Sequence, residues 1–174
     1  MLAEPLPKPD IALTATDGTP FPLRAATDGF VTLVFFGFTH CPNVCPVTMA
    51  NLGAVLANLE PAVAQRVKVL FITVDPRRDT PEALRAWLDH FSPNIVGLTG
   101  DSAAVAHAQV ALKLAPAVIE RKNPADTAYS VGHSALVVAF TPDNLAHVVY
   151  PFGTRQEDWA HDLPELVRGG WSRP

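Results

Sequence analysis

The feature that most limits how this chain can fold is an unbroken apolar run at residues 30–38. A second run of the same kind covers residues 67–74. Strands that are apolar on both faces are typical of parallel sheets, because helices cover both sides of such a sheet. Apolar residues at helical spacing follow each run, over residues 46–58 and 81–91. The pattern therefore predicts an α/β domain in which strands and helices alternate.

Turn signals predict an antiparallel hairpin on either side of this pattern. Residues 11–26 alternate weakly in polarity around a Thr-Asp-Gly-Thr turn, and residues 134–140 and 145–150 flank a Thr-Pro-Asp-Asn turn. A short strand is predicted at residues 95–98. The sum is a mixed central sheet flanked by helices, with an extra N-terminal hairpin, which is compatible with a thioredoxin-like architecture.

Capping residues and prolines predict the later helices. Ser102 is the predicted cap of a helix over residues 103–114. Residues 154–157 match a capping box ahead of the last helix, which Pro164 is expected to kink or restart. Between these helices, residues 115–132 are irregular and are predicted to form a long loop, and such loops are often functional.

Length and composition indicate one domain. The chain has 174 residues, of which 48% are hydrophobic, enough for a core of its own. Three prolines within residues 1–9 predict a flexible tether, followed by the domain at 10–168 and a C-terminal tail at 169–174. The sequence shows no signal peptide and no apolar stretch of membrane-spanning length. A net charge of −4 without a basic stripe argues against nucleic acid as a partner.

The only two cysteines, Cys41 and Cys45, come directly after the first apolar run. Pro46 suits the first helical position, so Cys45 is the predicted cap and Cys41 lies in the loop. The positive end of a helix dipole favours thiolates, which exchange disulfides and bind metals. A bridge closing so short a loop would stabilise the fold little, which favours a chemical role over a structural one. The spacing alone does not choose between disulfide exchange and metal binding.

A histidine is the expected third group at a metal site that contains two thiolates. His133 is the candidate, because it closes the predicted loop just before a strand and can face the loop after a neighbouring strand. Two sulfurs and one imidazole suit Cu(I) or Cu(II), and zinc accepts the same ligands with a fourth. His40, beside Cys41, is expected to point toward solvent and is a candidate only for contacts around the site. The remaining histidines are interpreted as structural: His90, His107, His147 and His161.

A second polar cluster, made of Asp75, Arg78 and Asp79, follows the second apolar run. Thr80 is the predicted cap of the next helix, with Pro81 in its first position. Asp75 could reach the thiols from the strand end. We favour the simpler interpretation, in which Arg78 and Asp79 hold the start of this helix.

Four blocks resemble, in order, the signature of the Sco/SenC copper chaperones: residues 36–46, 74–81, 97–100 and 129–134. Together they are far more specific than a lone Cys-x-x-x-Cys, and the resemblance extends over about residues 10–168. It implies a thioredoxin-like fold outside the cytoplasm, in the bacterial periplasm or on the outer face of the cytoplasmic membrane. Residues 1–9 would then remain from an N-terminal membrane anchor. It also implies copper, as Cu(I) or Cu(II), bound by Cys41, Cys45 and His133.

The resemblance implies a metallochaperone rather than an enzyme. The implied role is assembly of the binuclear copper centre of cytochrome c oxidase. The copper-centre subunit is the implied partner, and other periplasmic copper chaperones or thiol reductants are further candidates; the protein itself is expected to be a monomer. The family commonly has Asp at two positions where this chain has Asn43 and Gly132. The loss of two carboxylates predicts an altered copper affinity or thiol reduction potential.

Two other functions would use the same cysteines. A thiol-disulfide reductase would keep the oxidase subunit's cysteines reduced, with one of Cys41 and Cys45 attacking and the other resolving. Dithiol exchange should largely survive His133→Ala, whereas copper binding should not. A peroxiredoxin-like peroxidase is less favoured, because that family places Thr three residues before the reactive cysteine, where this chain has Phe38 and Pro42.

Overall fold

The fold, taken from a computed structural model, is described for residues 1–172. The strands, in chain order, are β1 (Leu6–Pro7), β2 (Ala12–Ala15), β3 (Pro20–Pro22), β4 (Val31–Gly37), β5 (Val67–Thr73), β6 (Ile95–Thr99), β7 (Val118–Glu120), β8 (Ser130–Gly132), β9 (Val137–Phe140) and β10 (Leu145–Tyr150). The helices are α1 (Leu23–Ala26), α2 (Val44–Asn58), α3 (Pro61–Ala64), α4 (Pro81–Leu88), α5 (Ser102–Ala111) and α6 (Gln156–Val167), with a 3₁₀ turn at Gly170–Ser172.

Eight of these strands form one mixed sheet, in the order β1-β10-β9-β4-β5-β6-β2-β3. Strands β4, β5 and β6 are parallel at its centre, while β9 and β2 pair antiparallel with β4 and β6. The predicted hairpins are β2–β3 and β9–β10. The predicted mixed sheet with an extra N-terminal hairpin is therefore confirmed.

The burial of β4 explains its apolar sequence, because all seven of its residues are inaccessible to solvent. Successive side chains of a strand point to opposite faces. Leu33 and Phe35 accordingly belong to the core that includes side chains of α2, α4 and α6, and Val34 and Phe36 belong to the core with α1 and α5. This strand ends at Gly37, so the loop that carries the cysteines starts from a fixed point.

Helix α2 differs from the prediction at its start. It begins at Val44 with Asn43 as the N-cap residue, which places Cys45 inside the first turn rather than at the cap. Pro46 is then the third helical residue. This costs no hydrogen bond, because the first four N–H groups of a helix have no partner within it.

The N-cap of α5 is Asp101, not the predicted Ser102. The Asp101 carboxylate accepts hydrogen bonds from the backbone N–H groups of Ala103 and Ala104, at 2.9 and 3.2 Å. A carboxylate accepts such bonds well and also complements the positive end of the helix dipole. Thr80 does cap α4, as predicted, by accepting from the Ala83 N–H.

Helix α6 does not restart at Pro164, although a restart is one of the two outcomes predicted there. It continues through Pro164 without a break, because Leu163 and Leu166 are buried on either side and this packing outweighs one missing hydrogen bond. Its capping box lies one residue later than predicted. The Asp158 carboxylate accepts from the Arg155 N–H, while the Thr154 hydroxyl donates to the Pro151 carbonyl.

The predicted loop at residues 115–132 contains a small two-stranded sheet, in which β7 and β8 pair antiparallel. All three residues of β7 are exposed. Because a strand exposed on both sides need not alternate apolar with polar residues, the sequence pattern gave no signal for it.

Both chain ends contact the domain, whereas the sequence predicts a flexible tether at residues 1–9 and a tail at residues 169–174. Leu6–Pro7 pairs with β10 at the sheet edge, where proline is tolerated, and Lys8 is only 2% exposed. At the other end Trp171 packs against the core, and residues 173–174 lie outside the described part. Among residues 1–172, no helix has both the length and the apolarity needed to cross a membrane.

Candidate metal centre

Cys41 and Cys45 lie where the chain leaves β4 and enters α2. Both thiols are free; Cys45 is fully buried and Cys41 is partly exposed. The backbone N–H of Cys45 points at the Cys41 sulfur, with 3.4 Å between nitrogen and Sγ. The turn of the helix thus brings both sulfurs to one side of the loop, as the sequence spacing predicts.

His133 completes the group from a different part of the chain, directly after β8. Its Nε2 lies 3.4 Å from the Cys45 Sγ, and its Nδ1 lies 2.9 Å from the Ser134 carbonyl oxygen. A carbonyl oxygen only accepts, so Nδ1 carries the proton and the lone pair of the neutral ring is on Nε2, facing the sulfurs. The Phe35 and Phe38 rings stand edge-on to the imidazole, at centroid distances of 5.9 and 5.6 Å.

The donor atoms of Cys41, Cys45 and His133 all lie within 4.8 Å of one another. In the part of the chain that the structure describes, this is the one group of three or more such side chains close enough to hold a metal ion. A cleft of about 300 Å³ opens beside it, lined by residues of the cysteine loop and of β8. Two thiolates and one imidazole form a soft donor set, which suits copper or zinc rather than a hard cation.

Burial shifts the pKa values of Cys45 and His133. It raises the pKa of the Cys45 thiol well above its ordinary value, outweighing the hydrogen bond from the Phe38 backbone that opposes it. Burial also lowers the pKa of His133, which keeps the imidazole neutral and able to bind metal. The sequence prediction of a favoured thiolate therefore does not hold for Cys45. A metal must displace its proton on binding.

The other histidines stay outside the group. His40 is 55% exposed, as predicted, and its Nδ1 lies 3.1 Å from the Thr39 hydroxyl. His147 lies 2.9 Å from an Asp143 carboxylate oxygen in the second hairpin. Of the last three histidines, His107 lies in α5, His161 lies in α6, and His90 comes just after the end of α4.

The second polar cluster supports both segments that carry the candidate ligands. Asp79 is fully buried and accepts hydrogen bonds from the Thr39 N–H (3.0 Å), the Thr39 hydroxyl (2.6 Å) and the Thr73 hydroxyl (2.6 Å). Asp75 pairs with Arg78 and accepts from the Tyr129 hydroxyl. Thr39 and Tyr129 are residues that sequence reasoning missed as parts of the site. Their only signal is their position inside the blocks that resemble Sco/SenC proteins.

The two positions where a carboxylate is missing, Asn43 and Gly132, lie close to the candidate ligands in the chain. A Cβ atom at Gly132 would lie 3.7 Å from a Glu120 carboxylate oxygen, which belongs to the adjacent strand β7. Asn43 makes no side-chain hydrogen bond at the start of α2. Glu120 is exposed and is not among the residues that line the cleft, so its carboxylate does not belong to the donor group.

The chain is similar to known proteins over most of its length. A model of the SCO1/SenC family matches residues 7–168. The mouse mitochondrial SCO2 homolog is 37% identical over 65% of this chain. Among solved structures, apo Sco1 of Thermus thermophilus has a TM-score of 0.82 at 32% identity, covering 95% of this chain and 94% of that chain. Bradyrhizobium japonicum ScoI with copper bound has a TM-score of 0.77 at 30% identity, covering 95% and 99%.

The chain spans about half the length of the curated relatives it matches, for example 44% of the mouse protein. The relatives differ in how they are located. The mouse protein is mitochondrial, whereas a SCO1/SenC protein of Bacillus anthracis, similar in fold at 23% identity with a TM-score of 0.74, is a lipoprotein; the match covers 96% of this chain and 99% of that chain.

Proposed function

The chain belongs to the SCO1/SenC family, and we propose that it binds copper through Cys41, Cys45 and His133 and delivers it during assembly of the binuclear copper centre of cytochrome c oxidase. The observation that carries the proposal is the convergence of three soft donors within 4.8 Å. The copper-bound ScoI structure, which matches almost the whole chain, favours copper over zinc. Assembly of the oxidase is the role of the family.

Loading and release follow from the exposure of the three ligands. Cys41 is the accessible sulfur and meets incoming copper first, whereas buried Cys45 binds after losing its proton. Neutral His133 offers Nε2 without a proton to lose. The cleft on the Cys41 side gives the ligands of a partner access to the site, and copper passes to them by ligand exchange.

Anaerobic titration of the reduced protein with Cu(I), in competition with a chromogenic chelator, tests this function. We expect stoichiometric uptake by the wild type and a collapse of affinity in Cys45→Ser and His133→Ala, because each variant loses a ligand. His107→Ala is the matched control, since His107 is an exposed histidine on α5 outside the donor group. If the reduced wild-type protein takes up no copper, the proposal fails.

A second function, thiol-disulfide reduction of the oxidase subunit, is supported by the unequal exposure of the two thiols. The Cys41 thiolate would accept the Cys45 N–H and attack a partner disulfide, releasing one partner thiolate and leaving a mixed disulfide. Attack by Cys45 on the Cys41 sulfur would then release the second partner thiolate and form the Cys41–Cys45 disulfide. The two electrons pass to the partner. Partner-disulfide reduction that persists in His133→Ala but not in Cys41→Ser would establish this function.

The proposed place of action is outside the cytoplasm, with the copper-centre subunit of the oxidase as the partner. The lipoprotein relative of Bacillus anthracis supports a membrane-associated setting of this kind. Fractionation of cells that express the full-length gene would show whether the protein is accessible at the outer face of the membrane. Recovery from the cytosol alone would contradict the proposed location.

A further inference from the structure

We propose that Tyr129 is a positioning residue, clamped by Asp75 and Arg78, which holds His133 over the cysteine pair; this inference rests on the proposed copper function. Strand β8 joins Tyr129 directly to His133. A change at Tyr129 is therefore transmitted along a short extended segment to the imidazole. The hydroxyl, the ring and the backbone carbonyl of Tyr129 each have their own contact.

The clamp consists of three contacts. The Tyr129 hydroxyl donates to an Asp75 carboxylate oxygen at 2.6 Å. The Arg78 guanidinium lies 3.6 Å from the centroid of the Tyr129 ring and donates to the Tyr129 carbonyl oxygen at 3.0 Å. Arg78 is itself paired with Asp75, which is almost fully buried. Hydrogen bonds to charged groups and stacked guanidinium groups are among the stronger contacts of partly buried sites.

The clamp matters because strand pairing restrains the segment before His133 only weakly. Within residues 1–172, strand β8 pairs with β7 alone; all residues of β7 are exposed, and Val131 is the one buried residue of β8. A two-stranded hairpin is only marginally stable by itself. The contacts of Tyr129 therefore supply much of the restraint on the approach to His133.

The same turn of the chain also holds the cysteines. Residues 75–79 follow β5, the parallel neighbour of β4, and Asp79 in this turn binds both the N–H and the hydroxyl of Thr39. Asp75 and Arg78 hold Tyr129 from the same turn. One turn thus contacts the segment before the cysteines and the segment before the histidine, and so sets the distance between Cys45 and His133.

The test compares the only two tyrosines of the chain. Tyr129→Phe removes the bond to Asp75 and leaves the ring for Arg78, whereas Tyr129→Leu removes both contacts. We expect Cu(I) affinity to fall about tenfold in Tyr129→Phe, as is usual for groups that orient metal ligands, and further in Tyr129→Leu. The sulfur-to-copper absorption of the Cu(II) form should also shift. Tyr150→Phe is the matched control, because its hydroxyl donates to Asp162 on α6.

A measurement without copper keeps the two proposals separate. Amide hydrogen exchange at residues 130–133 of the reduced, metal-free protein should quicken in Tyr129→Phe and stay unchanged in Tyr150→Phe. If wild type binds copper while Tyr129→Phe matches it in affinity, absorption and exchange, the clamp is refuted. If wild type binds no copper, the proposed function fails and the exchange rates alone decide the clamp.

Arg78→Lys provides a second variant should Tyr129→Phe unfold. Lysine keeps the positive charge beside Asp75 but cannot both stack on the ring and reach the Tyr129 carbonyl as the guanidinium does. The same loss of copper affinity and faster exchange are expected. If a folded Arg78→Lys protein has the copper affinity and the amide exchange rates of the wild type, the proposed clamp is refuted.

Discussion

The space around Cys45 depends on a single glycine at the end of β4. A Cβ atom at Gly37 would lie 2.9 Å from the Cys45 Sγ and 2.7 Å from the Phe35 ring. Gly37→Ala is therefore expected to displace the sulfur and to lower the free energy of unfolding by about 1–3 kcal/mol, as overpacking does. Urea unfolding and copper titration of the variant measure both effects.

Gly132→Ala is the control for this prediction. It also adds a methyl group next to a candidate ligand, His133, but the nearest atom to the new Cβ, a Glu120 carboxylate oxygen, is 3.7 Å away, an ordinary contact. Stability and copper affinity should change little. Equal losses in Gly37→Ala and Gly132→Ala would show that crowding at Gly37 is not the cause.

The N-cap residue at the start of helix α5 is expected to contribute to stability. The structure assigns its cap to Asp101, whereas the sequence pattern favours Ser102. Asp101→Ala should cost about 1 kcal/mol of stability, the usual value of a lost N-cap, because two backbone N–H groups lose their acceptor. Ser102→Ala should leave the urea midpoint almost unchanged. A larger loss in Ser102→Ala than in Asp101→Ala would contradict the observed cap.

The helices and strands that the sequence predicts are mostly those whose burial requires apolar residues at regular positions. Strands β4 and β5 are buried on both faces and appear as apolar runs, and the hairpins appear through their turn residues. The pair β7–β8 was missed because β7 is exposed throughout. The restart expected at Pro164 does not occur, because packing on the core, which sequence periodicity does not measure, outweighs the local effect of proline.

For the whole molecule, buried Lys8 links the N-terminal segment to stability at alkaline pH. Its ammonium donates to the Thr27 carbonyl and hydroxyl at 3.1 and 2.9 Å, yet burial lowers its pKa from 10.5 to about 8. Between these two values the unfolded chain binds more protons than the folded one. The free energy of unfolding should therefore rise with pH across this window.

Lys8→Met removes the titrating group and should abolish this part of the pH dependence. Urea unfolding of wild type and variant between about pH 7 and pH 10 gives the difference directly, because the other titrating groups are common to both proteins. The wild type should gain stability relative to the variant as pH rises from 8 toward 10.5. Parallel curves would mean that Lys8 titrates normally.

By itself the sequence determined the α/β class, the buried strands, the hairpins and the position of the thiols after β4, because each depends on local periodicity or turn chemistry. It also nominated His133, through its place before a strand and through resemblance. Only the tertiary structure brought the His133 nitrogen to 3.4 Å from Cys45 and joined Tyr129 to Asp75. These contacts depend on which strands lie side by side, and they bury the Cys45 thiol and raise its pKa. Local sequence patterns do not report such long-range neighbours.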